Sequence, residues 1–184
     1  APVLVGLLCS MPDICFDSVK VFISGGDFLP VRFAQAFEML FGRRICSGYG
    51  LSEAGPVVGV NVDPRSTATS AITPFLQGIE YKIVQQKDEL CEMGELWISG
   101  NNVFQGYFEG ADVPLRSILV DGWLPTGDLV SLMPNGSVHM VGRCKEIIVF
   151  KGFNVYPQEI ERVLLSHKDI QFAVVVGQEH ETFG

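Results

Sequence analysis

The rhythm of apolar and polar positions changes near residue 61. Before it, continuous apolar runs are broken by glycines. Val19 to Ser24 reads as a buried strand, Gly25-Gly26 ends it, and a helix opened by Pro30 carries Phe33, Phe37, Leu40 and Phe41 on one side. Ile45 and Cys46 supply a second short strand. Strand, helix, strand, closed by a glycine-rich loop, is an α/β order with its ligand at the carboxyl edge of the strands. Gly25, Gly26 and residues 48–53 are therefore expected along one crevice.

After Asn61 the runs are short, with period two or β-branched content: Glu80 to Val84, Glu95 to Ser99, Leu129 to Leu132 and Ser137 to Val141. Asn101-Asn102 and Pro134-Asn135-Gly136 punctuate them as turns, and the Asn135-Gly136-Ser137 sequon is read as a hairpin turn rather than a glycosylation site. A small, mostly antiparallel β subdomain is predicted. Beyond Arg143 come a strand-like run from Glu146 to Phe150, a loop through Gly152, a helix from Pro157 with Ile160, Val163 and Leu164 on one face, and a last strand from Phe172 to Val176. The expected division is 1–60, the end of an α/β core; 61–143, the β subdomain; and 144–184, the start of a small α+β domain. Half of such a domain leaves an apolar edge bare, so the chain is expected to be part of a longer protein.

With 184 residues, 47% of them hydrophobic, there is enough chain for a real core. A net charge of −8 without any basic cluster argues against nucleic acid as a partner. An anionic ligand must be met locally. Five irregularly spaced cysteines and three scattered histidines, at 139, 167 and 180, suggest a reduced, cytoplasmic protein without structural zinc. The apolar stretch Val3 to Cys9 is too short to span a bilayer, so no integral membrane segment is expected.

Candidate chemistry gathers in three motifs. Gly48-Tyr49-Gly50-Leu51-Ser52-Glu53 lies 75 positions before Asp128 of Thr126-Gly127-Asp128, and Gly142-Arg143 ends 15 positions after Asp128. Gly48 and Gly50 let backbone approach a ligand, Tyr49 offers a ring face for a base, and Ser52 offers a hydroxyl to phosphate. Glu53 is a hard oxygen ligand suited to the Mg²⁺ of a triphosphate. Asp128 can accept both hydroxyls of a ribose, while Arg143 brings a permanently charged fork to ribose or phosphate. A dinucleotide fingerprint is excluded because Glu53 stands where its third glycine belongs, and no Gly-x-x-x-x-Gly-Lys loop is present. The residues alone describe a site for ATP.

Together with Gly94-Glu95-Leu96 and the run from Lys151 to Pro157, these motifs resemble the adenylate-forming superfamily of acyl-CoA synthetases, luciferases and peptide-synthetase adenylation domains. The resemblance covers nearly the whole chain. It implies Mg-ATP activation of a carboxylic acid to an acyl adenylate, followed by transfer to CoA. It also implies a hinge at Lys145, Gly25 and Gly26 beside the acyl and adenine pocket, and Gly152 near the pantetheine arm of CoA. Within the resemblance, an acyl carrier protein as acceptor and a non-catalytic nucleotide-binding remnant are the alternatives. The chain departs from the family at Asp27, where a small residue is usual, and at Ser70-Ala71-Ile72-Thr73, where a glycine-rich turn is usual. Val149 points away from those plant ligases and luciferases that carry a lysine at this position. Neither the upstream phosphate loop nor the downstream catalytic lysine implied by the resemblance lies in this sequence, so the chain by itself is expected to be inactive.

Overall fold

The computed structural model describes residues 2–11, 13–63, 69–85, 93–108, 110, 116–167, 169–170 and 172–179, with side chains from Val5 onward. Cys91 and His180 lie outside the described residues.

The first layer is a three-stranded sheet. Strand β1 (Phe22–Ser24) runs parallel to β2 (Ile45–Tyr49), with Phe22 opposite Ile45 and Ser24 opposite Ser47, and β3 (Gly59–Asn61) pairs with β2 antiparallel. Parallel neighbours need a crossover, here helix α2 (Val31–Phe41). Its inward residue Phe37 is fully buried and meets the rings of Phe16, Phe22 and Phe41 at centroid separations of 6.0, 5.0 and 4.7 Å. Helix α1 (Pro2–Cys9), read from sequence only as a short apolar stretch, adds Val5 to this core. Two expectations need correcting. The strand begins at Phe22, not Val19. Leu40 is exposed, because the aromatic face of α2 centres on Phe37. Asp27 accepts the N–H of Phe28 at 2.8 Å, and the N-cap of α2 is Pro30.

The second layer is an antiparallel sheet in sequential order: β4 (Ile79–Val84), β5 (Met93–Gly100), β6 (Leu124–Leu132) and β7 (Val138–Arg143). Strict alternation along β5 buries Leu96 and Ile98 against Leu124, Val130 and Val138. Pro134-Asn135-Gly136 forms the β6–β7 turn, closed by Gly136 N–H to the Met133 carbonyl at 2.8 Å. The segment following β2 enters this second core through Ala54 and Val58, together with Tyr49. The two layers are thereby locked at the glycine-rich motif.

A 3₁₀ turn (Cys144–Glu146) leads from β7 to a hairpin of β8 (Ile148–Phe150) and β9 (Phe153–Val155), then to α3 (Pro157–Leu165). Lys151 and Gly152 make its two-residue turn with φ of 51° and 82°, both left-handed as a type I′ turn requires. Ile160, Val163 and Leu164 of α3 are exposed. Residues 172–176 alternate in exposure as a strand would, but form no ladder with the described residues. The Val175 N–H instead donates to the Glu161 carboxylate at 2.8 Å, so among the described residues the expected last strand is not formed.

Candidate functional site

A cleft of about 320 Å³ opens where the two sheets meet the face of α3. Gly26, Gly48, Tyr49, Gly50, Asp128 and Arg143 line it, which brings together three motifs scattered over the sequence. Gln158 and Arg162 of α3 form its far side.

At the centre lies a carboxylate held from two directions. Asp128 sits directly opposite Arg143 in the β6–β7 ladder, with its Oδ1 3.5 Å from Arg143 Nε. The Tyr49 hydroxyl donates to Asp128 Oδ2 at 2.7 Å. Burial pushes the Asp128 carboxyl above its ordinary value, while the Tyr49 hydrogen bond and the Arg143 charge pull it back down. Burial, followed by the charge of Asp128, raises the Tyr49 hydroxyl, which therefore stays protonated and acts as a donor. Arg143 is two-thirds exposed and extends its charge into the opening. The constellation offers an aromatic wall, a fixed carboxylate acceptor and a cation, the chemistry that a ribose joined to a phosphate requires.

The remaining candidates lie outside this lining. Ser52 and Glu53 stand in the 3₁₀ turn Ser52–Ala54, with Ser52 exposed. Glu53 Oε1 accepts the Tyr107 hydroxyl at 2.5 Å, and the Glu53 carbonyl accepts the Phe104 N–H at 2.9 Å. Among the described residues no group of three or more His, Cys, Asp or Glu could hold a metal by itself. A single carboxylate still fits Mg²⁺, which takes most of its ligands from triphosphate and water. Gly25 serves strand spacing, because a Cβ there would lie 2.8 Å from the Gly48 carbonyl oxygen. Lys145 lines a separate opening with Ile148, Glu161 and residues 174–179, and Gly152 occupies the β8–β9 turn.

The profile of the AMP-binding enzyme family matches residues 2–108. The chain belongs to this family. It is 32% identical over 178 residues to a long-chain-fatty-acid–CoA ligase of Haemophilus influenzae, covering 94% of this chain and 31% of that protein. It is 31% identical over 195 residues to 4-coumarate–CoA ligase 1 of Glycine max, covering 100% of this chain and 67% of the relative. Among solved structures, o-succinylbenzoate CoA synthetase from Bacillus subtilis with its acyl-adenylate intermediate superposes with a TM-score of 0.83 at 27% identity, covering 100% of this chain and 38% of that one. ATP-bound MatB from Rhodopseudomonas palustris gives 0.82 at 26%, again covering 100% and 38%. The chain thus spans about a third of the length of the bacterial ligases it matches.

In this member of the AMP-binding enzyme family, sequence reading missed Tyr107, the hydrogen-bond partner of Glu53, because a tyrosine in an irregular loop carries no spacing signal. It also missed Gln158 and Arg162, which reach the cleft only because α3 packs across β7. No described helix is long and apolar enough to cross a membrane.

Proposed function

We propose that this chain is the middle portion of an ATP-dependent acid–thiol ligase, an acyl-CoA synthetase. The observation that carries the reading is the convergence of Tyr49, Asp128 and Arg143 on one cleft. The Tyr49 ring faces the adenine, Asp128 accepts the ribose hydroxyls, and Arg143 binds ribose or phosphate. Gly26, Gly48 and Gly50 let backbone lie against the nucleotide, while Ser52 donates to a phosphate oxygen and Glu53 holds Mg²⁺. A substrate carboxylate oxygen attacks the α-phosphorus and pyrophosphate leaves, giving an acyl adenylate. The CoA thiol then attacks the acyl carbon and displaces AMP. Lys145 serves as the hinge between 1–143 and 144–184 for the second step, and Gly152 lies beside the thiol arm. The names of the relatives favour CoA over a carrier protein as acceptor and a place in fatty-acid metabolism, and the irregularly spaced cysteines favour the cytoplasm.

The test is acid-dependent ATP–pyrophosphate exchange by the whole protein across short, long and aromatic acids. Exchange that appears with one acid class and vanishes in Asp128→Ala supports the reading. Nucleotide binding without exchange for any acid overturns it in favour of a non-catalytic nucleotide-binding protein.

A further inference from the structure

Asp128 must meet a ribose with its carboxylate in one orientation, yet it follows a glycine in a strand with irregular pairing. The β5–β6 register shifts between Glu95 and Trp97, just where the Thr126-Gly127-Asp128 segment lies alongside. A bulge leaves backbone donors without ladder partners. Here the Glu95 side chain takes that place. Its Oε1 accepts the Gly127 N–H at 3.0 Å, and its Oε2 accepts the indole N–H of Trp97 at 2.9 Å. Thr126 completes the clamp by donating its hydroxyl to the Leu96 carbonyl at 2.7 Å and accepting the Asp128 N–H at 3.1 Å.

The indole is itself held. Lys82 faces Trp97 across the β4–β5 ladder, and its ammonium lies 4.9 Å from the Trp97 ring and 4.3 Å from the Trp123 ring. Such cation–π contacts fix the ring plane, and with it the direction of the indole donor. Glu95 does not line the cleft. It touches the site through the backbone that carries Asp128, and its negative charge adds to the burial that raises the Asp128 carboxyl.

We infer that Glu95 is a positioning residue that sets the orientation of Asp128 toward the ribose, with Trp97 and Lys82 fixing Glu95 in turn. The inference rests on Asp128 being the ribose acceptor. A neutral amide at 95 has one acceptor and one donor, so its NH₂ must oppose either the Gly127 N–H or the Trp97 indole N–H. Removing the indole donor relieves that conflict.

The experiment compares ATP with 2′-deoxyATP in acid-dependent pyrophosphate exchange by the whole protein, with thermal melting of each variant as the check on folding. Wild type is expected to prefer ATP. In Glu95→Ala the KM for ATP rises about tenfold, the size of one lost hydrogen bond to a charged group, and the preference for ATP over 2′-deoxyATP shrinks toward unity. Glu95→Gln loses about threefold, and Glu95→Gln combined with Trp97→Phe recovers to within about twofold of Trp97→Phe alone. A residue that merely supported the sheet would lower the melting temperature while leaving the preference between nucleotides intact, and the double variant would be worse than either single one. Retention of the full preference in Glu95→Ala overturns the inference, as does a double variant no better than Glu95→Gln. If Glu95→Ala fails to fold, the Gln and double variants decide. Wild type that exchanges but treats both nucleotides alike sinks this inference and leaves the ligase reading standing, whereas wild type without any exchange overturns both.

Discussion

The hydroxyl of Tyr49 and the carboxylate of Asp128, 79 positions apart in sequence, are joined by a buried hydrogen bond of 2.7 Å. It ties the end of β2 in the first sheet to β6 in the second, so the floor of the cleft and the junction between the layers are one structure. Tyr49→Phe keeps the ring and removes the donor, leaving a buried carboxylate with Arg143 alone. A loss of about 2 kcal/mol in stability is expected, as for a hydrogen bond to a charged group, together with a raised KM for ATP. Denaturant melts and exchange kinetics on the same variant check both, and an unchanged KM with lowered stability would remove the bond from the nucleotide site.

Burial raises the Asp128 carboxyl against the opposing pull of Tyr49 and Arg143. Because the folded value exceeds the unfolded one, the native state holds this proton more tightly. The associated stability is complete below the unfolded value and is lost as pH rises through the folded value. If Asp128 is the ribose acceptor, binding runs the other way, since the ionised carboxylate is the better acceptor. The KM for ATP should therefore climb as pH falls through the folded value, at a higher pH than an ordinary carboxylate would produce. Asp128→Asn should bind ATP weakly at every pH and lack that limb of the profile. A limb unchanged by the substitution would assign it to another group.

Much of this was legible in the sequence because glycine-bounded motifs and period-two runs report backbone geometry directly. The strand, helix, strand order around Gly25-Gly26 and the sheet containing Glu95 and Asp128 follow from local pattern. Short edge elements do not. Gly59–Asn61 and Phe153–Val155 are three residues each, too short for periodicity to register, and exist only because β2 and β8 lie beside them. Phe172 to Val176 has the composition and alternation of a strand but finds no ladder among the described residues, and a strand is defined by its partner. The same limit applies to side chains. Motif residues Tyr49, Asp128 and Arg143 were recognisable singly, whereas Tyr107 on Glu53 and Trp97 on Glu95 are relations that only the folded chain displays.

Tyr107 holds one oxygen of Glu53, and that hydrogen bond is the main reason its own hydroxyl is raised. If the contact keeps the other oxygen turned toward a triphosphate-bound ion, Tyr107→Phe should raise the Mg²⁺ concentration needed for half-maximal exchange about threefold, the scale of a modest hydrogen bond. The KM for the acid should not move. Titration of exchange against Mg²⁺ at saturating acid is the check, and an unchanged midpoint would detach Tyr107 from the metal.

Gly50 is required by contact. A Cβ at this position would lie 1.7 Å from the Pro56 carbonyl oxygen, within a loop closed by Val58 N–H to the Tyr49 carbonyl at 2.8 Å. Only backbone atoms are available to yield, so Gly50→Ala should cost about 3 kcal/mol or more and displace Tyr49 as well. Thermal unfolding measures the cost, and a melting temperature within a degree or so of wild type would contradict the close approach.

At the β8–β9 turn the requirement is conformational. Lys151 has φ of 51°, a region in which a side chain is strained, while Gly152 at 82° has no atom within 4 Å of where a Cβ would stand. Lys151→Asn should stabilise the hairpin by about 0.5 kcal/mol, because asparagine tolerates this region and Asn-Gly is the preferred type I′ pair. Gly152→Asn separates turn geometry from ligand passage, since asparagine can adopt the backbone angle but fills the open space. If the thiol arm passes Gly152, acyl transfer to CoA must fall by more than adenylation does in this variant, read as thioester formation against pyrophosphate exchange. Equal effects on the two half-reactions would reduce Gly152 to a turn residue.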